Sequence, residues 1–267
     1  LFICPLALQA KERGGRSVLR PRPVFFSARK IEKGSMRMKI TCAIFDADGT
    51  LLDSMPMWKA ITYEYAQDRG LDAPPGLHRT LNRLSMEQCA AAYKELGAPG
   101  SLEEIRKELS QYALNGYRDR VKEKPHATAL LKLLHENGVH VAVATASNPV
   151  GVRTALEANG MTPYVEYLVS CTEVGQGKDS PAVFLNCAEH FGAVPAECVV
   201  FEDSAYALRT ARGAGFLTVG IRDEISAEEP GADFSQLCHR YLPDYAQLLA
   251  ELTPPEEEGS LLRAVRK

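Results

Sequence analysis

The sequence lacks any apolar run that approaches the ~20 residues needed by a membrane-spanning helix. Its N-terminal apolar stretch, residues 1–10, is short and is interrupted by Pro5. Internal repeats are also absent, and a content of 45% hydrophobic and 24% charged residues is ordinary for a globular protein. These features exclude a collagen-like, a low-complexity or a wholly disordered chain, and they predict no association with a membrane.

Closely spaced cysteine pairs are missing as well. The seven cysteines are odd in number, widely scattered and never in CxxC spacing: Cys4, Cys42, Cys89, Cys171, Cys187, Cys198 and Cys238. Several of them lie inside apolar runs. The pattern favours free thiols in a reducing compartment, so we expect a cytoplasmic protein.

The net charge of −3 conceals an asymmetry along the chain. Residues 1–37 carry nine Lys or Arg against two Glu, whereas the remainder carries 22 basic against 32 acidic residues. The acidic body gives no sign of nucleic-acid binding. Because Met36 and Met38 directly precede the first strand-like run, we interpret the basic segment as an artefact of upstream translation rather than a targeting segment or a functional arm.

Short, nearly continuous apolar runs predict the strands of a parallel sheet. They cover residues 40–45, 139–145, 167–171, 198–201 and 216–220. Such runs suit strands that are buried on both faces. The pairs Asn148-Pro149 and Ser180-Pro181, which are typical of helix starts, lie between the later runs. The alternation predicts an α/β fold with a doubly wound parallel sheet.

Residues 54–124 interrupt this alternation with helical patterns alone. The patterns cover residues 57–69, 86–96 and 102–121, and the last of them opens on a capping box from Ser101 to Glu104. We therefore predict a small all-helical domain inserted after the first strand. The predicted organisation is a disordered basic leader at 1–37, a core at 38–53 and 125–250, the helical domain at 54–124 and a charged tail at 251–267.

The strongest functional signal is the run DADGTLLDS at residues 46–54. Alternation along a strand places Asp46 and Asp48 on the same side, and Gly49 then turns the chain sharply. Carboxylates at the C-terminal edge of a parallel strand lie where α/β sheets bind ligands. A calcium loop is excluded, because the glycine is fourth rather than sixth and the twelfth residue is Met57 rather than Glu.

A second acidic pair, Glu202 and Asp203, follows the buried run at 198–201. If the two strands are neighbours, four carboxylates converge, and their mutual repulsion requires a cation. All-oxygen ligands favour Mg²⁺. Taken alone, the acidic pair is explained equally well as a helix cap.

Two polar features accompany the acidic pairs. Thr145 ends a strand-like run, and the loop Ala146, Ser147 and Asn148 follows it. This segment offers a hydroxyl and free backbone N–H groups at a helix N-terminus. These groups either bind a phosphate or cap the helix. Lys178 lies in a glycine turn without P-loop spacing. A lysine in such a turn is either a phosphate ligand or solvated surface.

Taken together, these residues resemble the haloacid-dehalogenase superfamily of phosphotransferases. The similarity covers roughly residues 38–250 and depends on the DxDGTLxDS match at 46–54, on Thr145 and Lys178, and on the acidic pair before Ser204. It is strongest for the β-phosphoglucomutase-like and phosphoglycolate-phosphatase-like branch. In that branch the helical insert corresponds to an α-helical cap.

The resemblance implies that Asp46 is the nucleophile and that Asp48 acts as general acid and later as general base. It also implies that Thr145 and Lys178 hold the phosphoryl oxygens, with the loop at 146–148 beside them.

The resemblance further implies a resident Mg²⁺. Its expected ligands are the side chains of Asp46 and Asp203 and the backbone carbonyl of Asp48, with Glu202 acting directly or through water.

The insert departs from the mutases of this branch. Trp58 lies where those mutases carry a histidine, and in the run 81–86 Arg83 replaces a glycine and Met86 an arginine. Methionine cannot grip a second phosphate as arginine does. Arg83 itself is either a substrate contact or a solvated arginine at a helix end.

We therefore favour a Mg²⁺-dependent phosphatase that hydrolyses a small phosphorylated metabolite through an aspartyl-phosphate. A sugar phosphomutase of the β-phosphoglucomutase type is the alternative. A non-catalytic binding module with this fold is a third possibility, disfavoured because the nucleophile, the lysine and the acidic pair are all present. We expect no nucleic-acid, membrane or obligate protein partner.

Overall fold

A computed structural model describes residues 25–27, 37–82, 84–226 and 233–252. Strand β1 (Phe25–Ser27) pairs antiparallel with β2 (Arg37–Lys39), a pairing that the sequence analysis did not anticipate. The rest of the predicted leader, and the predicted tail beyond Leu252, lie outside the described residues.

Eight further strands are described, of which β3 and β6 to β9 match the predicted runs, whereas the short strands β4 and β5 were not predicted. They are β3 (Cys42–Phe45), β4 (Leu52–Asp53), β5 (Lys122–Glu123), β6 (His140–Thr145), β7 (Tyr167–Ser170), β8 (Cys198–Glu202), β9 (Leu217–Ile221) and β10 (Arg240–Leu242). Six of them form a parallel sheet in the order β10-β9-β8-β3-β6-β7. The predicted α/β parallel sheet is confirmed. β10, which is short and polar, carries no apolar run and was not predicted.

Helices cover both faces of the sheet and form the insert. They are α1 (Met55–Asp68), α2 (Leu77–Leu81), α3 (Met86–Glu95), α4 (Leu102–Asp119), α5 (Ala127–Glu136), α6 (Pro149–Ala158), α7 (Cys171–Val174), α8 (Ala182–His190), α9 (Ala205–Gly213), α10 (Phe234–Leu237) and α11 (Ala246–Leu252). Among the described residues, no helix is long and apolar enough to cross a membrane.

The central strand β3 sends alternate side chains into two separate cores. Phe45 packs in one core with α5, α6 and α11, whereas Ile44 packs in the other with α8 and α9. Phe45 also stacks on Phe201 of β8, with ring centroids 4.3 Å apart. Because every residue of β3 is buried, its C-terminal end is held firmly between β6 and β8.

Helices α1 to α4 lie together between β4 and β5, and we refer to them as the cap. The cap has its own apolar cluster, which includes Tyr65, Tyr93 and Leu109. Ser101 accepts a hydrogen bond from the backbone N–H of Glu104, so the predicted capping box is present. β4 pairs antiparallel with β5, so the chain enters and leaves the cap at one place.

A buried ion pair lies where the chain enters and leaves the cap, a place that we call the crossing point. The Lys124 ammonium is 2.7 Å from an Asp223 carboxylate oxygen after β9 and 3.5 Å from an Asp53 oxygen on β4. Both Lys124 and Asp223 are almost fully buried. Loss of one partner from a buried pair leaves an uncompensated charge in a poorly solvated place.

We predict that Lys124→Met lowers the free energy of unfolding by about 3 kcal/mol, because Asp223 then stays buried without its partner. Lys132→Met is the control: the Lys132 ammonium meets Glu136 at 3.9 Å on the exposed surface, and its loss should leave stability unchanged. Urea denaturation followed by circular dichroism measures both changes. Equal stability of the two variants would contradict a structural role for the buried pair.

Candidate active site

The acidic motif begins where β3 ends. The backbone N–H of Asp46 donates to the carbonyl of Phe201 at 2.9 Å, so the motif stays aligned with β8. Gly49 has a φ of +83°, and a Cβ at this position would lie 2.4 Å from Asp203 Oδ2. Only glycine therefore lets this turn approach the second acidic pair.

Three carboxylates meet at this edge of the sheet. Asp46, Glu202 and Asp203 each place an oxygen within 4.8 Å of the others, and all three residues are buried. Lys178 pairs with Asp46 and lies 2.8 Å from Glu202 Oε1. Only 3% of Lys178 is exposed, which excludes the alternative that it is solvated surface. Three carboxyl groups thus face one ammonium group.

Burial and mutual repulsion govern the protonation of this cluster. Burial raises the pKa of Asp46, Glu202 and Asp48 add to the rise, and Lys178 opposes it. For Asp203, burial followed by the charges of Glu202 and Asp46 raises the pKa well above its usual range. Burial disfavours the Lys178 ammonium, but Asp46 and Glu202 outweigh it and raise its pKa.

Glu202 is the carboxylate most firmly held in its charged form. Burial works against that form, but Lys178 and local hydrogen bonds outweigh burial and lower the pKa of Glu202. Its Oε2 accepts from the backbone N–H groups of Asp203 at 2.6 Å and Ser204 at 2.9 Å. Glu202 ends β8, whereas the N-cap residue of α9 is Ser204, and α9 has no side-chain cap hydrogen bond, so the acidic pair belongs to the cluster and does not cap the helix.

The donor set fits a divalent metal ion. Buried carboxylate oxygens that repel one another, with a single lysine to offset them, are stabilised by a further cation. Asp203 is oriented by two hydroxyl groups: Thr50 donates to Oδ1 at 3.2 Å, and Ser226 donates to Oδ2. The cluster of Asp46, Glu202 and Asp203 can therefore hold a metal.

The fourth carboxylate points elsewhere, so the expected convergence of four is wrong for the Asp48 side chain. Asp48 Oδ1 accepts from Ser54 Oγ at 2.6 Å and from Trp58 Nε1 at 3.4 Å. The Tyr117 hydroxyl donates to both oxygens, at 2.8 Å and 2.9 Å. Two of these three donors, Trp58 and Tyr117, belong to the cap. The expected ligand was the Asp48 backbone carbonyl, and that role stays a prediction.

The predicted phosphate loop lies at the end of the neighbouring strand. Thr145 is fully buried at the end of β6, and its hydroxyl oxygen accepts from the Ser147 N–H at 3.0 Å. Asn148 Oδ1 accepts from the Val150 N–H at 2.9 Å, which makes Asn148 the cap of α6. Ala146 is exposed. The phosphate roles of these residues stay predictions.

Arg83 lies outside the described residues, so its expected substrate contact stays a prediction too. Sequence reasoning missed Tyr117 and Ser226. Neither residue belongs to a sequence motif, and both are distant in sequence from residues 46–54, so only the tertiary fold brings them to the site. An amphipathic pattern predicts the helix that carries Tyr117 but does not indicate which of its residues meets Asp48.

Comparison with known proteins gives a consistent result. A family model of haloacid dehalogenase-like hydrolases matches residues 40–215. Fructose-1-phosphate phosphatase of Escherichia coli is 30% identical over 180 residues, which are 67% of this chain and 95% of that protein. Phosphorylated carbohydrates phosphatase of Thermotoga maritima is 27% identical over 173 residues, which are 64% of this chain and 80% of that protein.

Solved structures support the same fold. CbbY from Rhodobacter sphaeroides, in complex with phosphate, superposes with a TM-score of 0.67 at 22% identity. The superposition covers 80% of this chain and 99% of that one.

We predict that Asp203→Asn weakens binding of Mg²⁺, measured by isothermal titration calorimetry with the metal alone. The loss should be at least the roughly 10- to 100-fold that removal of an outer partner costs a metal site, because the variant removes a charged ligand. Asp72→Asn, an exposed carboxylate in the cap, should bind as the unaltered protein does. Equal affinities in all three proteins would exclude the buried cluster as the metal site.

Proposed function

This chain belongs to the haloacid dehalogenase-like hydrolases, and on that premise we propose that it is a Mg²⁺-dependent phosphatase of a small phosphorylated metabolite. The observation that carries the proposal is the buried contact of Lys178 with both Asp46 and Glu202. The Lys178 ammonium offsets part of the negative charge of Asp46 and holds the orientation of its carboxylate. A nucleophile that attacks a phosphate ester needs both.

In the proposed reaction, a carboxylate oxygen of Asp46 attacks phosphorus and the ester bond to the metabolite breaks. Asp48 gives a proton to the departing oxygen. Water then attacks the aspartyl-phosphate, Asp48 takes the proton of that water, and inorganic phosphate leaves with Asp46 restored. One water is consumed for each ester bond broken.

Other residues hold the charge that spreads over the phosphoryl group. Lys178 and the Thr145 hydroxyl bind its oxygens, and backbone N–H groups of the loop at 146–148 add dipoles at the start of α6. The side chains of Asp46 and Asp203 and the backbone carbonyl of Asp48 would hold the Mg²⁺, with Glu202 direct or through water, and the ion would supply positive charge to neutralise developing negative charge.

The substrate that we propose is a phosphorylated sugar or a similarly small polar metabolite. The named activities of the relatives, on phosphorylated carbohydrates and on fructose 1-phosphate, support this class. Arg83 is proposed as a contact with the polar end of the substrate. A reducing location such as the cytoplasm is supported by the six cysteines of the described residues, all free thiols.

Hydrolysis is favoured over a mutase reaction because of Trp58. Its indole N–H donates to Asp48 in the position where the mutases of this branch carry a histidine. Met86 stands where they carry an arginine, and it offers no charge for a second phosphate.

We predict that Asp46→Asn lowers phosphate release by at least ~10³-fold, because the amide keeps the shape of the side chain but loses the nucleophile. Phosphate release from a panel of sugar phosphates, with and without Mg²⁺, measures the change. Asp72→Asn, an exposed carboxylate in the cap, is the control and should retain activity. If the unaltered protein released no phosphate from any substrate in the panel, a binding module would replace the enzyme.

A second test separates phosphatase from mutase. With β-glucose 1-phosphate, Mg²⁺ and a trace of glucose 1,6-bisphosphate, we expect free phosphate and little glucose 6-phosphate, because Met86 stands where the mutases carry the arginine that grips a second phosphate. Both products are followed in parallel. Glucose 6-phosphate forming much faster than phosphate would establish the mutase instead.

A further inference from the structure

Tyr117 belongs to the cap, but its hydroxyl reaches a residue of the catalytic motif. It lies near the C-terminal end of α4 and is 1% exposed. Its hydroxyl is 2.8 Å from Asp48 Oδ1 and 2.9 Å from Asp48 Oδ2, so one phenol spans both oxygens of the carboxylate. Burial, and then the charge of Asp48, raises the pKa of Tyr117 well above its usual value. The phenol therefore keeps its proton and acts as a donor.

The donors around Asp48 are distributed unevenly. Within the part of the chain that the structure describes, Oδ1 accepts from Ser54, Trp58 and Tyr117, whereas Oδ2 accepts only from Tyr117. Oδ1 is thus the anchored oxygen, and Oδ2 is the oxygen with capacity left for a proton. Tyr117 is the donor that touches both, so it limits rotation of the carboxylate about its own axis.

The core and the cap together determine where Tyr117 lies. On the core side, Gly151 of α6 faces the ring, and a Cβ there would lie 2.6 Å from Tyr117 Cδ2. On the cap side, Trp58 of α1 meets the ring edge to face, with centroids 5.8 Å apart. α6 begins directly after the loop at 146–148, so the tyrosine lies between the cap and the proposed phosphate loop.

We propose that Tyr117 is a positioning residue that orients Asp48 for proton transfer and makes this orientation depend on the seating of the cap against α6. The inference rests on the phosphatase function proposed above. Since Trp58 and Tyr117 both belong to the cap, a shift of the cap removes two of the three donors that hold Asp48. Asp48 is then correctly aimed only when the cap is seated.

The test uses p-nitrophenyl phosphate, because its leaving group departs without a proton donor. With enzyme in excess and Mg²⁺ present, stopped-flow absorbance follows nitrophenolate release, which reports formation of the aspartyl-phosphate. A fluorescent phosphate sensor follows its hydrolysis, which needs Asp48 as a base. For Tyr117→Phe we expect nitrophenolate release within about twofold of the unaltered protein, and phosphate release slower by roughly tenfold or more, part of the 10²–10⁴ that acid–base catalysis contributes.

Gly151→Ala provides a second perturbation in a different element. Alanine suits a helix better than glycine, so α6 itself is not weakened, but the added methyl displaces the Tyr117 ring. We expect the same selective loss of phosphate release. Tyr112→Phe is the matched control, because the Tyr112 hydroxyl donates to Asp68 on the cap and not to the motif. It should leave both steps unchanged.

A Tyr117→Phe protein with both steps unchanged, with faster phosphate release, or with both steps slowed equally would overturn the inference, since equal slowing indicates a merely structural role. If the unaltered protein released neither product with Mg²⁺, the proposed function would fail and the inference with it. Normal turnover by the unaltered protein together with any of the first three results would overturn the role of Tyr117 alone.

Discussion

The rest of the structure depends on keeping three carboxylates and one ammonium together out of water. Charges in such a place are tolerated only with close partners and hydrogen bonds. Lys178 meets both Asp46 and Glu202, and backbone N–H groups of Asp203 and Ser204 satisfy Glu202. The parallel sheet makes this possible, because β3 and β8 are neighbours and end at the same edge. The glycine turn after β3 then lets Asp203 approach the motif without a steric clash.

The same constraint explains which features were predictable. Continuous apolar runs predict strands that are buried on both faces, and a specific acidic motif predicts the site. The roles of Tyr117 and Ser226 cannot be predicted in this way, because the residues next to them in sequence do not indicate which distant carboxylates they contact. Lys178 shows why burial is hard to predict from sequence. A lysine beside glycines is typical of an exposed turn, but only 3% of Lys178 is exposed. β10 and α2 were missed because three to five mixed residues form no periodic pattern.

The cap and the core divide the proposed chemistry between them. The core holds the residues for charge: Asp46, Lys178 and the acidic pair. The cap holds two of the three donors that orient the proposed proton carrier, since Trp58 of α1 and Tyr117 of α4 both donate to Asp48. The paired strands β4 and β5 keep the entry and exit of the cap side by side, and Lys124 ties them to Asp223. Asp223 in turn accepts from the backbone of Ser226, whose hydroxyl donates to Asp203. The crossing point is therefore linked to the proposed metal ligands by hydrogen bonds.

The chemistry of the groups around Asp48 bears on the reaction itself. An indole N–H donates but never accepts, and the Tyr117 phenol retains its proton because its pKa is raised. Ser54 is likewise a donor to Asp48 in this arrangement. None of these neighbours exchanges a proton at neutral pH, whereas a histidine in place of Trp58 would. In the proposed reaction, Asp48 would therefore exchange protons with the substrate oxygen and with water rather than with these three donors. In the proposed hydrolysis, the proton that Asp48 takes from water in the second step is the one that it gives to the next leaving group.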